Sequence, residues 1–129
     1  MEMAPLQKGF TLVELVIVIV IVGMLATVAV PSYKRYVRQS MSAEGEALVM
    51  AVAQAERLYY VDYKTFTANT SLLGVNGSTN KYFKSYMVRN MSGPWDILTT
   101  GDTATAASGI TVAGRFTTTT PLQIAVSGL

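Results

Sequence analysis

From Phe10 to Tyr33 the chain carries a single charged side chain, Glu14. As a helix this run rises about 36 Å, enough to cross a hydrocarbon layer of about 30 Å. Val16–Val22 alternates Val and Ile, which favours strands in water. Length decides otherwise, because buried strands rarely exceed about 8 residues. In lipid a lone strand also leaves its backbone groups unpaired, so the run is predicted to be a helix.

Three readings compete for such a segment. A cleaved secretory signal has a basic start, an apolar stretch of about 7–15 residues and a small-residue cleavage site. Here the stretch is too long, no good site follows it, and Lys8 before it is offset by Glu2. A plain membrane anchor fits the length but leaves Glu14 unexplained. A carboxylate within an apolar span costs about 2.5–3.5 kcal/mol on insertion scales, which makes it a functional candidate; the bland alternative places it at the membrane interface, one turn into the helix.

Lys8-Gly9-Phe10-Thr11-Leu12-Val13-Glu14, followed by the apolar run Leu15–Val30 and then Pro31, resembles the type III signal of type IV prepilins and pseudopilins. The resemblance implies removal of a leader, residues 1–9, by a prepilin peptidase that cuts after Gly9 and N-methylates Phe10. It makes Glu14 the fifth residue of the mature chain, the family's usual glutamate position, and puts Gly23 and Pro31 where members often carry helix-loosening residues. It further implies insertion in the inner membrane with a periplasmic C-terminal domain, and then polymerisation into an extracellular pilus. The implied partners are the peptidase/N-methyltransferase, inner-membrane assembly machinery, other copies of the chain and related pilins.

Each position has a physical rationale. Glycine before the cut presents no side chain to a narrow protease cleft. Cleavage gives Phe10 a positive amine, which a neighbouring subunit's Glu14 can neutralise. Two opposite charges desolvated together cost far less than either alone, and only one axial stagger brings them together, so the pair sets register. Pro31 lacks an amide hydrogen and its ring opposes the carbonyl of Thr27, so a bend or loosened turn is expected there, with the Thr27 hydroxyl compensating in part. Gly23 adds a second weak point, at about 1 kcal/mol relative to Ala. One feature opposes the topology. Lys34, Arg35 and Arg38 follow the apolar run, and the positive-inside rule would place that flank in the cytoplasm.

Beyond Pro31 the pattern becomes amphipathic. Val37, Met41, Leu48, Val52, Ala55 and Tyr59 form a candidate core stripe, with Glu44, Glu46, Gln54 and Arg57 largely elsewhere. Tyr33 and Tyr36 suit a membrane interface. One helix is expected from about Phe10 to about Val61: a hydrophobic span over 10–33 and an amphipathic half over 34–61. Residues 62–129 should hold a turn-rich loop to Lys81 and an antiparallel sheet. The strand-like runs are Tyr82–Asn90, Trp95–Thr100, Ile110–Thr117 and Leu122–Ser127, punctuated by Ser92-Gly93-Pro94 and Gly101-Asp102. The expected fold class is α+β and pilin-like, with a three- or four-stranded antiparallel sheet against the helix's second half. Family members often clamp the C-terminal segment with a disulfide. With no cysteine here, strand pairing alone is expected to hold Leu122–Leu129.

Composition excludes most chemistry. The 129 residues include neither Cys nor His, which removes thiolate nucleophiles, disulfides, imidazole bases and the usual zinc sites. Asp62, Asp96 and Asp102 are too separated for a local calcium loop, and no phosphate-binding or dinucleotide motif is present. The expectation is a structural filament subunit with no catalytic residue, metal or cofactor. Within that family a minor pilin or a type II secretion pseudopilin is the alternative, with adhesion, motility, DNA uptake or secretion as the filament's role. From another class, the alternative is a membrane-tethered extracytoplasmic binding domain. The net charge of +2 and scattered Lys and Arg do not by themselves suggest nucleic-acid binding. The triplets Asn69-Thr70-Ser71, Asn76-Gly77-Ser78 and Asn90-Met91-Ser92 are expected to be turn chemistry rather than glycosylation sites.

Overall fold

A computed structural model describes residues 9–90 and 93–129; the greater part of the expected leader, and Met91 and Ser92 of the third Asn triplet, lie outside the described residues. Helix α1 spans Leu12–Tyr63, and strands β1 (Tyr86–Asn90), β2 (Trp95–Thr100), β3 (Thr111–Phe116) and β4 (Gln123–Ser127) follow. The four strands form one antiparallel sheet in sequence order. The fold is α+β, a long helix with a sheet packed against it. The chain divides into two units, one through Lys34 and one from Arg35, and the hydrophobic core belongs to the second.

In that second unit α1 buries Ser42, Gly45, Leu48, Val49, Val52, Ala53 and Glu56. The spacing is helical, but the stripe is rotated from the predicted one. Leu48 and Val52 are shared; Met41, Ala55 and Tyr59 flank the core instead of centring it. The rotation follows from small residues. A Cβ on Gly45 would lie 2.8 Å from Val112 Cγ2, and one on Gly114 would run into the Val49 side chain. Helix and sheet therefore meet closely where both lack side-chain bulk, and a search for large apolar residues does not find that line.

Sheet pairing places Val88, Ile97, Gly114 and Ile124 in one row, with Tyr86, Thr99, Val112 and Val126 in the next. Val88, Ile97 and Val112 are buried with Phe83, Ile110 and Phe116. The opposite face carries Arg89, Asp96 and Arg115 side by side. Arg115 donates to Asp96 at 2.8 and 3.3 Å; that bond holds the Asp96 carboxyl below its ordinary range despite partial burial, and Arg89 adds to the effect. Asp102 is paired with Lys84 at 2.7 Å.

The first strand begins at Tyr86 rather than Tyr82. The amides of Lys81, Tyr82 and Phe83 donate to the Glu44 carboxylate at 3.1, 2.6 and 2.9 Å, so they are unavailable to a sheet neighbour. Burial pushes that carboxyl up, but the three N–H donors, with Lys81's charge, outweigh it and hold it below its usual value. Glu44, which the helical pattern assigns to the solvent face, is thus the anchor between helix and sheet. The Asn side chains of the first two triplets accept from the amides two residues on, Ser71 and Ser78, which is turn chemistry.

The C-terminal segment is not held by strand pairing alone. Arg38 donates to the carbonyls of Gly128 at 3.1 and 2.7 Å, Ala106 at 3.1 Å and Ser108 at 3.1 Å. A guanidinium with five donors in a fixed fork can gather two chain segments onto the helix in this way, so it ties the end of the chain to the helix without a disulfide.

Among the described residues Glu56 is the one acid fully buried in the core, at 0% exposure. Its Oε2 accepts the Thr67 amide at 3.1 Å, and its Oε1 has no partner among them. Burial pushes the carboxyl up and the Thr67 bond opposes that; the nearby Tyr86 hydroxyl is pushed up by its own burial and further by the Glu56 charge. A carboxyl raised in the folded state contributes stability at low pH and loses it as pH rises through its folded value. Glu44, Asp96 and Asp102, all lowered, give the opposite slope at lower pH. The difference between wild type and Glu56→Gln isolates Glu56. Thermal midpoints across pH 4–8 should show the Glu56→Gln variant gaining on wild type as pH rises above the ordinary carboxylate range; a constant difference would refute the assignment.

Candidate functional site

The candidate site lies at the start of α1. Thr11 precedes the helix, and its hydroxyl accepts the Glu14 amide at 3.2 Å. The Glu14 carboxylate reaches back to the Thr11 amide and hydroxyl, each at 3.5 Å. This is the reciprocal capping box of a Thr-x-x-Glu sequence, in which N-cap and third helical residue satisfy each other's free backbone donors. Thr11 is the residue that the sequence reading left out, although its spacing from Glu14 was the available signal. The structure brings Glu14 to Thr11 and not to Phe10, whose ring is exposed.

Beyond this cap the first unit presents a largely apolar surface. The most apolar 18-residue window of α1 has a mean hydropathy of 2.9, and none of it is buried. By length and composition it is sufficient to cross a membrane. The consecutive residues Ile17, Val18, Ile19 and Val20 are all exposed, and four successive positions go once around a helix, so every side is uncovered. A helix apolar all round is stable only when something apolar surrounds it.

Gly23 and Pro31 both lie within this hydrogen-bonded helix. The Thr27 hydroxyl donates to the Met24 carbonyl at 2.7 Å, and Ser32 donates to Val28 at 3.0 Å. The side-chain hydroxyls around Pro31 thus back-bond to the preceding turns, a habit that bends helices. Among the described residues, added Cβ atoms on Gly9 and Gly23 would meet nothing within 4 Å.

Residues 5–30 match the family model described as the prokaryotic N-terminal methylation motif. Residues 31–109 match the model described as type IV minor pilin ComP, DNA uptake sequence receptor. The chain belongs to the type IV pilin family. Among similar proteins, this pilin is 42% identical over 91 residues to the fimbrial protein of Neisseria meningitidis serogroup A / serotype 4A, covering 68% of this chain and 54% of that one. It is 42% identical over 96 residues to the type IV major fimbrial protein FimA of Dichelobacter nodosus, covering 73% and 58%. It is 40% identical over 91 residues to the type IV major pilin protein PilE of Neisseria gonorrhoeae, covering 68% and 54%. The pilin therefore spans about half the length of the curated relatives it matches. These proteins are structural subunits, in line with the expectation that the chain is not an enzyme.

Proposed function

We propose that this pilin is made as a precursor, cut between Gly9 and Phe10, methylated at Phe10, and polymerised from the inner membrane into a type IV filament. Residues 10–33 serve first as the single membrane span and then as the filament core, with 34–61 as the amphipathic continuation and 62–129 as the loop and sheet of the head. Prepilin peptidase, the assembly machinery and further pilin copies are its partners.

The observation that carries this reading is an apolar, wholly unburied helical surface interrupted by one carboxylate. Lipid can cover that surface, and so can identical helices. Only an assembly with a positive group beside each Glu14 compensates the carboxylate's desolvation. A second support lies beyond Arg35, where Met50, Leu58 and Val61 on α1 also stay exposed. They repeat at helical spacing, away from the sheet-facing stripe, and offer neighbouring copies an apolar surface.

A minor pilin that receives DNA is the second reading, favoured by the description of the model matching residues 31–109. Commitment of Lys84, Arg115 and Arg38 to intramolecular partners weighs against it. Topology tests the shared part of both readings. Arg38, one of the three cations behind the positive-inside conflict, is bound to carbonyls of the head, so it travels with the head. An alkaline phosphatase reporter fused after Leu129 should be active, which requires a periplasmic location. Activity of a cytoplasm-only reporter at that site would overturn the reading.

A further inference from the structure

Between the last turns of α1, the residue Phe66 and the β3–β4 connection lies a cleft of about 440 Å³, within the usual range of small-molecule sites. Its floor is aromatic. The Tyr60 ring stacks on Phe66 at 4.7 Å between centroids, and Phe66 meets the buried Phe116 edge-on at 5.1 Å. The next residue, Thr67, is fastened to Glu56 through its amide. The floor is therefore fixed by the core before any ligand arrives, which lowers the ordering cost of binding.

The wall is a run of four threonines, used unequally. The Thr117 hydroxyl accepts the amides of Thr119 at 3.2 Å and Thr120 at 2.8 Å, and lies 3.3 Å from the Thr119 hydroxyl. These bonds shape the turn. The hydroxyls of Thr118 and Thr120 have no partner among the described residues, and each can donate and accept.

The charge lining the cleft has one sign. Arg57 lines it and makes no hydrogen bond or ion pair among the described residues, unlike Arg115, Lys84 and Arg38. Lys64 stands at the rim, its ammonium donating to the carbonyl of the lining residue Val61 at 3.0 Å. Among the described residues no acidic side chain lines the cleft.

We propose that this cleft binds a single acidic sugar ring, a hexuronate or a similarly carboxylated pyranose. The apolar C–H face of the ring would lie against the exposed side of the Tyr60–Phe66 stack. Its hydroxyls would pair with Thr118 and Thr120, and its carboxylate with the Arg57 fork, where a bidentate charge-assisted bond is available. A nucleic-acid strand shares the sugar and the negative charge but fits less well. Two cations can neutralise about two phosphates, far short of the roughly 6–10 contacts that give strong duplex binding. The proposal concerns the head alone and is independent of how the pilin is processed or assembled.

The test uses the full chain, isotope-labelled in detergent micelles, titrated separately with glucuronate, glucose and a short DNA duplex while amide resonances are followed. Glucuronate should shift Phe66, Thr118 and Thr120 saturably, and glucose should bind about tenfold more weakly, the value of one charge-assisted bond. Arg57→Gln should bring glucuronate down to the affinity of glucose, and Thr118→Val should weaken both sugars. Arg57 and Thr118 are exposed, so the fold should survive these changes, and unshifted resonances elsewhere check that. The proposal fails if no saturable shift occurs at these residues, if glucose binds as well as glucuronate, if Arg57→Gln has no effect, or if the duplex displaces glucuronate.

Discussion

Gly9→Val should leave a precursor that inserts in the membrane and is never shortened, whereas mass spectrometry of the wild-type pilin should find a mature chain beginning at a methylated Phe10. The expected effect is large, because a β-branched side chain at the residue before the cut must enter a cleft that the glycine fits without one. The structure removes the competing explanation. Among the described residues a Cβ at Gly9 meets nothing within 4 Å, and the position precedes the first helical residue, Leu12. The substitution therefore costs the pilin's own fold nothing, and a processing defect reports on the peptidase. Gly23→Val is the matching control: it also has open space around it and lies away from the cut, so it should be processed normally. A mature chain beginning anywhere but Phe10, or normal processing of Gly9→Val, would sink the proposed cleavage.

The parts of this fold that were legible in the sequence are those governed by long-range pattern. An apolar run of bilayer length, an amphipathic continuation and four strand-like runs specify a long helix and an antiparallel sheet, because periodicity and length decide between helix and strand. The parts that were not legible are governed by close contact. Gly45 and Gly114 mark where helix and sheet touch, yet a glycine in isolation reads as a weak point. Glu44 read as an acid lying off the core stripe and nothing in the pattern marked Glu56, while the first satisfies three backbone amides and the second is sealed in the core. Arg38 read as part of a cationic cluster at a membrane edge, but its partners are carbonyls far along the chain. Side-chain-to-backbone bonds of this kind leave no periodic trace, since the backbone acceptor can belong to any residue. At the candidate site the carboxylate was legible because charge in an apolar run stands out. Its bond to Thr11 was harder to see, because a carboxylate in lipid points first to a positive partner and only then to a neutral one.

That bond changes how the role of Glu14 must be tested. Glu14→Leu should leave membrane levels unchanged or raised, because about 2.5–3.5 kcal/mol of desolvation cost disappears, while surface filaments become rare or absent. Loss of the carboxylate leaves the neighbouring Phe10 amine buried without its partner, which typically costs about 3–5 kcal/mol. At about 1.4 kcal/mol per factor of ten, subunit addition weakens roughly a hundredfold or more. Leucine, however, also removes the capping box, and a cap contributes about 0.5–2 kcal/mol to its helix. Glu14→Gln separates the two effects. Glutamine at the third helical position still reaches back to the Thr11 amide, so the cap survives, but it carries no charge to neutralise the amine. Thr11→Ala does the reverse, removing the N-cap hydroxyl that accepts the Glu14 amide while leaving the carboxylate. If the intermolecular pair sets the register, Glu14→Leu and Glu14→Gln both lose filaments in a strain lacking the native subunit, and Thr11→Ala keeps most of them. If the cap is what assembly needs, Glu14→Gln forms normal filaments and Thr11→Ala does not. Counting surface filaments by electron microscopy, with membrane protein levels matched by immunoblot, distinguishes the two outcomes. Normal filaments from Glu14→Gln would end the register mechanism.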